Sequence, residues 1–587
     1  MSYVIDQVNC SGCHACRVSC PVEAITFRND KYWIDPEKCI SCGTCAEVCH
    51  NECISDPSQP APQVTPHEKV VLECDVAVVG AGAAGLACAA RAAENGARVI
   101  VLEKGKEVGG SADYAHQIKI HYSKWHKEQG LPDNRDATYE EFIRKTEGKV
   151  KPEKVRRILD ANSEFIDWLI EKHDLGQDFK LAKGGLFNEL GLVSSYVEPY
   201  NEKRIDTMIG PGGHGWWMCR KLLSILLENG GQVLYHTSGK KLLTNTSGKI
   251  TGVLAADAGG EVEIHCRAVA VTAGAFTRNK EIMNKMQPLF YGKEGDDPIH
   301  IFTCSRCTGD GLTMCEEIGA DIDYEKRRVN MFGPMRHPYP AVSLNAFGRD
   351  LMVNAEGDPL ELKMSFSEIS DVAYQPKRYC WSIVDHAMLK HNIESAMHPR
   401  NKDVVNIDLD KFLVRWPEVI WEEETAGSIV SADTLSELAG KLGFEEKKFT
   451  DMVEAYNQKA EAPLPPPPAG MEPPKDGGFD FSAMFGDGEM PPMMMKKSPI
   501  KEGPFYAIKL KLFHENSIGG MAIDENMAVL KDGKPVPGLY AAGDNTNSIM
   551  LPGDIGAGYI EQTVTALTFA LTSGYVAGIE SSKYAAQ

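Results

Sequence analysis

The sequence predicts a small, cysteine-dense α+β unit at the N-terminus, followed by a large α/β domain built on a parallel sheet. Three observations carry this expectation. Eight cysteines fall in two runs of one spacing, C-x2-C-x2-C-x3-C, at 10–20 and 39–49. The stretch "CDVAVVGAGAAGLACAARAAENGARVIVLEK" reads as strand, glycine turn, Ala-rich helix and second strand. At 587 residues the chain is too long for one ordinary core, and an apolar fraction of 43% is enough for a large enzyme. Between the two parts, "SDPSQPAPQVTPHEK" carries four prolines and no periodicity, which reads as a linker.

The cysteine runs admit a disulfide framework or a metal site. "MSYVIDQVNC" has neither the basic nor the apolar region of a signal peptide, so reduced thiols and a cytoplasmic location are expected. Thiolates three residues apart can turn toward one centre, and C-x2-C-x2-C-x3-C-P is the bacterial ferredoxin pattern, in which the fourth cysteine ligates the other cluster. On that pattern one 4Fe-4S cluster takes Cys10, Cys13, Cys16 and Cys49, and a second takes Cys39, Cys42, Cys45 and Cys20. Zinc is the competing metal, although its closed sites usually use C-x2-C pairs. The halves read as a repeat in which Cys53 falls where the first has Ala24, so Cys53 is expected to pack and not to ligate.

In the second part, "VAVV" is expected to be a buried strand, with Gly80, Gly82 and Gly85 at the turn into the helix that opens with Ala83 and Ala84. Gly80 permits the tight turn, Gly82 lets a pyrophosphate approach the backbone, and Gly85 lets helix and strand pack closely. The second strand, "RVIVLE", ends in Glu103, placed to accept hydrogen bonds from a ribose. Strand, glycines, helix and terminal acid together predict a Rossmann-like adenine dinucleotide site.

The remainder of the chain resembles the fumarate reductase and succinate dehydrogenase flavoprotein superfamily. The likeness rests on "VGGSADYA", "AVAVTAGAF", "TGDGLTMCEEIGADI", "SADTLSELAGKLGF", "GPFYAIKL", "GGMAID" and "PVPGLYAAGDNTNSIMLPGDIGAGYIEQ", which occur in the family's order. It implies bound FAD, with Lys104, Gly110, Ser111, Ala273, Gly274, Gly543, Asp544, Gly556 and Gly558 joining the cofactor set and Asp544 at the ribityl position. The implied fold is an α/β Rossmann-like FAD-binding fold with an inserted α+β substrate-capping domain, preceded by a small α+β ferredoxin-like domain. Expected boundaries are 1–60 for the two-cluster ferredoxin domain, 61–74 for the linker, 75–275 and 502–587 for the two FAD-binding parts, and 276–501 for the cap.

The resemblance also narrows the chemistry. Where the family clamps a carboxylate with arginine, this chain has Asp554; its motif arginine falls at Pro359, its catalytic arginine near Ser367, and its substrate histidine at Asn516, two residues after His514. An aspartate facing a dicarboxylate repels it, so fumarate is not the expected substrate. The segment around Ser548 and Met550 is closer to the 3-ketosteroid dehydrogenase branch, in which a tyrosine stands at the position of Asp554 and Gly558 matches a glycine that polarises the substrate carbonyl. Candidate proton donors are Asp554, His514 and His116, each of which is otherwise a hydrogen-bonded scaffold residue.

The expected activity is electron passage from two 4Fe-4S clusters to FAD and hydride transfer to an activated C=C bond of an enone or enoate. The alternatives are an electron-transfer subunit resembling those of heterodisulfide reductases, and a dehydrogenase working in reverse. An electron donor protein or ferredoxin is the expected partner. A formal net charge of −20 argues against nucleic acid and a polybasic membrane contact, and "TVTALTFALTSGYVAGI" reads as a buried helix rather than a span. Cys304, Cys307 and Cys315 in "CSRCTGDGLTMC" admit a third metal site, although "TGDG" before an apolar helix is a feature of the family without cysteine and only the C-x2-C is left over. "GGHGWWM" offers Trp216 and Trp217 either to a ring-bearing substrate or to packing. The Pro- and Met-rich segment 462–499 is expected to be a surface lid or a disordered insertion.

Overall fold

The computed structural model describes residues 2–10, 15–28, 31–49, 51–59, 65–115, 118–145, 150–183, 195–199, 214–286, 300–301, 304–324, 331–333, 351–360, 375–390, 416–462, 498–514, 519–547, 549 and 566–587. In the N-terminal unit, strand Val4–Ile5 pairs antiparallel with Ile54–Ser55, and Ile25–Arg28 with Lys31–Ile34. Alternation along "ITFR" turns Ile25 and Phe27 inward, where the Phe27 and Tyr32 rings meet at 4.8 Å. One-turn helices Ala15–Val18 and Thr44–Glu47 each carry a cysteine of their run. The apolar cluster is small and includes Cys10, Cys16, Cys45, Cys49 and Cys53. A core of this size is marginal on apolar burial alone and is of the kind that metal binding completes.

The second part is organised by a six-stranded sheet in the order Gln232–Leu234, Val99–Leu102, Val76–Val79, Ala268–Val271, Lys534–Ala541, Ala528–Lys531. The first five strands are parallel and the last is antiparallel. "VAVV", "VIVL" and "AVAV" are buried at every position, as parallel strands covered on both faces must be. The covering is close. Helix Ala566–Ala585 packs on helix Ala83–Glu94, and a Cβ on Gly574 would sit 2.1 Å from the Ala84 carbonyl. The part of "TVTALTFALTSGYVAGI" from Ala566 on therefore belongs to a buried helix, and among the described residues no helix is long and apolar enough to cross a membrane. A four-stranded sheet, Ser238–Thr244, Ile250–Ala256, Glu261–His265 and Val70–Glu73, lies beside this one in sequence.

A separate seven-stranded sheet holds His300–Ile301, Met331–Gly333, Leu351–Asn354, Pro359–Leu360, Tyr379–Asp385, Ile429–Ala432 and Phe505–His514. Its longest strand, Phe505–His514, pairs antiparallel with Tyr379–Asp385 throughout. By strand pairing the inserted unit thus extends to 514, past the position 501 expected from sequence. An apolar run such as "GPFYAIKL" does not reveal which sheet it joins. In the other direction, residues 304–324 leave the insert and pack on the dinucleotide side: a Cβ on Gly311 would lie 2.7 Å from Val271, and Ile322–Asp323 pairs with Gly520–Met521.

Candidate functional site

The glycine turn sits at the carboxyl end of strand Val76–Val79, where open parallel sheets bind ligands. Gly80 has φ +103°, a conformation that strains any L side chain, and its Cβ would lie 2.6 Å from the Thr272 carbonyl. A Cβ on Gly85 would lie 1.8 Å from the Gly80 carbonyl, so only glycine lets the helix descend onto its own turn. Gly82 differs. It is the N-cap of the helix, no side chain caps it, and its Cβ would meet nothing closer than the Gly109 carbonyl at 3.7 Å. The first N–H groups of the helix, from Ala83 and Ala84, therefore lie behind a surface that a phosphate can approach.

Three further segments converge on this turn. Glu103 is buried; its Oε2 accepts from the Ala81 N–H at 3.1 Å and its Oε1 from the Gly105 N–H at 2.7 Å, with Arg306 Nε 3.5 Å away. Lys104 Nζ donates to Thr308 Oγ1 at 2.6 Å and to Asp310 Oδ2 at 2.7 Å, tying the second strand to helix Asp310–Glu317. Ser111, in the single-turn helix Gly110–Tyr114, accepts from the Cys304 N–H at 3.1 Å and lies 3.3 Å from Cys307 Sγ. After strand Ala268–Val271, Thr272 Oγ1 donates to the Val79 carbonyl at 3.0 Å, which brings Ala273 and Gly274 beside Gly80. Gly543, φ +79°, stands over Ala84, and its N–H donates to Ser573 Oγ at 3.1 Å.

These residues fit an adenine dinucleotide. Gly110 and Gly274 hold positive φ with no Cβ neighbour closer than 3.8 Å, and the buried Asn545 Oδ1 has no hydrogen-bond partner although its Nδ2 donates to the Val271 carbonyl at 3.0 Å. The surrounding protein pushes the Asp544 carboxyl up to about 7. A carboxyl raised above its ordinary value of 3.8 holds its proton more tightly in the folded protein; its cost to stability is absent below 3.8 and grows as pH rises to about 7. Asp544→Asn should therefore raise the melting temperature of flavin-free protein by a few degrees at pH 8 and leave it unchanged at pH 3.5. Thermal unfolding at both pH values checks this, and equal shifts at the two would remove the protonation account.

In the N-terminal unit, Cys20 from the first run shares one cleft with Cys39, Cys42 and Cys45 from the second. The cleft encloses about 310 Å³ including its open mouth, with Val22, Ile25 and Ile34 among its walls. Burial pushes the Cys45 thiol up to about 11, whereas hydrogen bonds from Thr44 pull the exposed Cys42 down. Cys10, Cys16 and Cys49 are buried in the same small core as Cys45, while Cys13 lies outside the described residues. Cys53 is buried as expected, but it packs on the candidate ligands themselves: its Sγ is 3.5 Å from Cys49 Sγ, and contacts with Cys10 and Cys49 push its thiol far up. Among the described residues no three His, Cys, Asp or Glu side chains close on a single ion position. That holds for Cys304, Cys307 and Cys315, all of them buried.

Of the candidate proton donors, His116 and Asp554 lie outside the described residues, as do Gly556, Gly558, Ser367 and Asn516. His514 ends strand Phe505–His514, opposite Ile301. Trp216 packs edge to face on Trp217 at 4.9 Å and lies under Arg220 at 4.2 Å, and Arg220 in turn binds the buried Asp113 at 2.7 Å. The Trp216 ring is thus held by a structural cation. Sequence reasoning missed Arg306, Cys307 and Asp310 as neighbours of the dinucleotide turn; the only sign was the C-x2-C placed directly before "TGDG".

A glycine cradle at the edge of a parallel sheet, joined in one chain to paired cysteine quartets, defines an iron–sulfur flavoprotein. Comparison with known proteins agrees. The FAD binding domain family matches residues 75–559, and the chain belongs to that family; the 4Fe-4S dicluster domain family matches residues 2–50. The chain is 24% identical over 502 residues to NADH:fumarate oxidoreductase of Klebsiella pneumoniae (strain 342), an alignment covering 84% of this chain and 47% of that protein, so the chain spans about half its length. It is 24% identical over 546 residues to vinyl phenol reductase of Lactiplantibacillus plantarum, covering 87% of this chain and 97% of that one. Among solved structures, 3-ketosteroid-Δ4-(5α)-dehydrogenase from Rhodococcus jostii RHA1 superposes with a TM-score of 0.60 at 21% identity, over 87% of this chain and 97% of the other, a likeness of fold.

Proposed function

We propose that the chain is an iron–sulfur flavoprotein oxidoreductase acting on an activated carbon–carbon double bond in an enone or enoate other than fumarate. The observation that carries this reading is the meeting of Cys20 with Cys39, Cys42 and Cys45 in one cleft, in a chain that also builds the glycine cradle. When bound, two 4Fe-4S clusters supply single electrons and FAD supplies hydride chemistry at carbon. Gly80, Gly82, Ala83, Ala84 and Gly85 would hold the pyrophosphate, Glu103 the ribose, and Asp544 the ribityl side, with Lys104, Gly110, Ser111, Ala273, Gly274, Gly543, Gly556 and Gly558 around them. The quartets would be Cys10, Cys13, Cys16 and Cys49, and Cys20, Cys39, Cys42 and Cys45. An electron donor protein and a cytoplasmic location accompany this reading.

The vinyl phenol reductase likeness supports a reductive reaction, and Asp554 in the place of a clamp arginine disfavours a dicarboxylate. Whichever of Asp554, His514 and His116 faces the substrate would protonate the carbon next to the one that receives hydride. Reoxidation of dithionite-reduced protein, followed by flavin absorbance in a single turnover, tests the assignment. Aromatic or steroidal enones and enoates should restore the oxidised spectrum while fumarate leaves it bleached, and Asp554→Asn should slow the enone reaction by roughly two orders of magnitude. Rapid reoxidation by fumarate would overturn the substrate class. An unaffected variant would remove Asp554 as the donor.

A further inference from the structure

The N-terminal unit docks on the rest of the chain by one side. The Asn51 side chain is buried and accepts from the Ser305 N–H at 3.1 Å. The Lys106 N–H donates to Glu52 Oε1 at 2.7 Å, and Lys106 Nζ to the Glu47 carbonyl at 3.2 Å. Arg17 forms an ion pair with Glu422, and Ala426 packs against the unit's core. Arg17 and Glu47 adjoin cysteines of both quartets, whereas Asn51 and Glu52 lie two and three positions from Cys49 alone.

The far end of the docking contact is the dinucleotide site. Ser305 lies in the loop whose Cys304 N–H donates to Ser111 Oγ and whose Arg306 reaches Glu103. From Cys49 the path is therefore two residues to Asn51, one hydrogen bond to Ser305, one residue to Cys304 and one hydrogen bond to Ser111.

The other quartet faces outward. Cys42 is exposed, Cys39 and Cys20 are partly so, Cys45 is buried, and their cleft opens to solvent. Ile40, between Cys39 and Cys42, leaves 60% of its surface in water. By contrast Cys10, Cys16 and Cys49 are each 7% exposed or less. Electron tunnelling weakens steeply with distance, so a donor that cannot enter the protein reaches the exposed quartet first, and the quartet beside Asn51 is the one within reach of the flavin.

We infer that the Cys20, Cys39, Cys42 and Cys45 cluster is the outer one, which meets a one-electron donor, and that the cluster held by Cys10, Cys16 and Cys49 is the inner one, which faces FAD. This rests on the proposed two-cluster ligation. Cys20, Cys39, Cys42 and Cys45 would hold the cluster that takes single electrons from the donor, and Cys10, Cys16 and Cys49 the one that hands them on to FAD, whose reduction needs two such electrons with protons from solvent.

The test is electron spin relaxation in the dithionite-reduced holoprotein, with and without a soluble dysprosium chelate, which speeds the relaxation of a paramagnet in proportion to its nearness to the surface. Cys20→Ala and Cys49→Ala each remove one signal and so assign the two. The chelate should raise the half-saturation power several-fold for the signal lost in Cys20→Ala and leave the signal lost in Cys49→Ala nearly unchanged. An equal effect on both, or a larger one on the Cys49 signal, would overturn the order. Iron analysis of the same sample separates the two failures: about four iron per chain removes the two-cluster reading and the order with it, whereas about eight with reversed accessibility removes the order alone.

Discussion

Protein carrying Gly85→Val should retain its iron and lose its FAD. A Cβ at this position would lie 1.8 Å from the Gly80 carbonyl and 2.7 Å from Thr272 Oγ1, so the helix can accept it only by lifting away from its own turn. Overpacking on this scale costs about 3 kcal/mol or more when the neighbour is backbone and cannot step aside. The lifting removes the surface on which a pyrophosphate would rest, while the N-terminal unit keeps its own core. Flavin absorbance per chain and iron per chain, measured on the same purified sample, check it. Because a poorly folded variant would also lack flavin, Gly82→Ala serves as the companion. Its Cβ meets nothing closer than 3.7 Å, so its melting temperature without flavin should match that of the parent, while its FAD affinity falls about tenfold because the methyl group stands where a phosphate would approach. Full flavin content in Gly85→Val, or unchanged affinity in Gly82→Ala, would rule out the cradle.

Cys20→Ala should empty the cleft of the second cysteine run although Cys20 belongs to the first. Iron should fall from about eight per chain toward about four, since the cluster in that cleft loses one of its four thiolates. The decisive comparison is spectroscopic. Crossed ligation makes Cys20→Ala match Cys45→Ala, with the same surviving cluster, and differ from Cys16→Ala. Uncrossed ligation would make Cys20→Ala match Cys16→Ala instead. Flavin content should remain near one per chain in all three variants, because the cradle draws its packing from the six-stranded sheet and its helices.

Much of the candidate site was legible before any fold was known, because its chemistry is local in sequence. A turn that needs φ above zero and a backbone approach requires glycine at set offsets, and Gly80, Gly82 and Gly85 stand there. Cysteines at intervals of three residues can turn toward a shared cluster from one turn of chain, which made a 4Fe-4S domain readable from spacing, as the family match over residues 2–50 bears out. Completely apolar strands such as "VAVV" and "AVAV" likewise announce a sheet buried on both faces.

The sequence by itself therefore determined the class of cofactors and the residues of the glycine turn, since each depends on conformational demands met within a few neighbouring positions. Only the tertiary structure decided which distant segments meet. It placed Phe505–His514 in the seven-stranded sheet, because strand pairing is chosen by neighbours more than a hundred residues away and not by the strand's own composition. It brought Arg306 to Glu103 and Asp310 to Lys104, contacts across some two hundred residues that no spacing encodes. It set Asn51, two residues after Cys49, against Ser305 of the larger part, and left Cys42 exposed. Ligand spacing is the same in both cysteine runs; the difference between inside and outside arises from how one surface of a small unit is buried against a larger one.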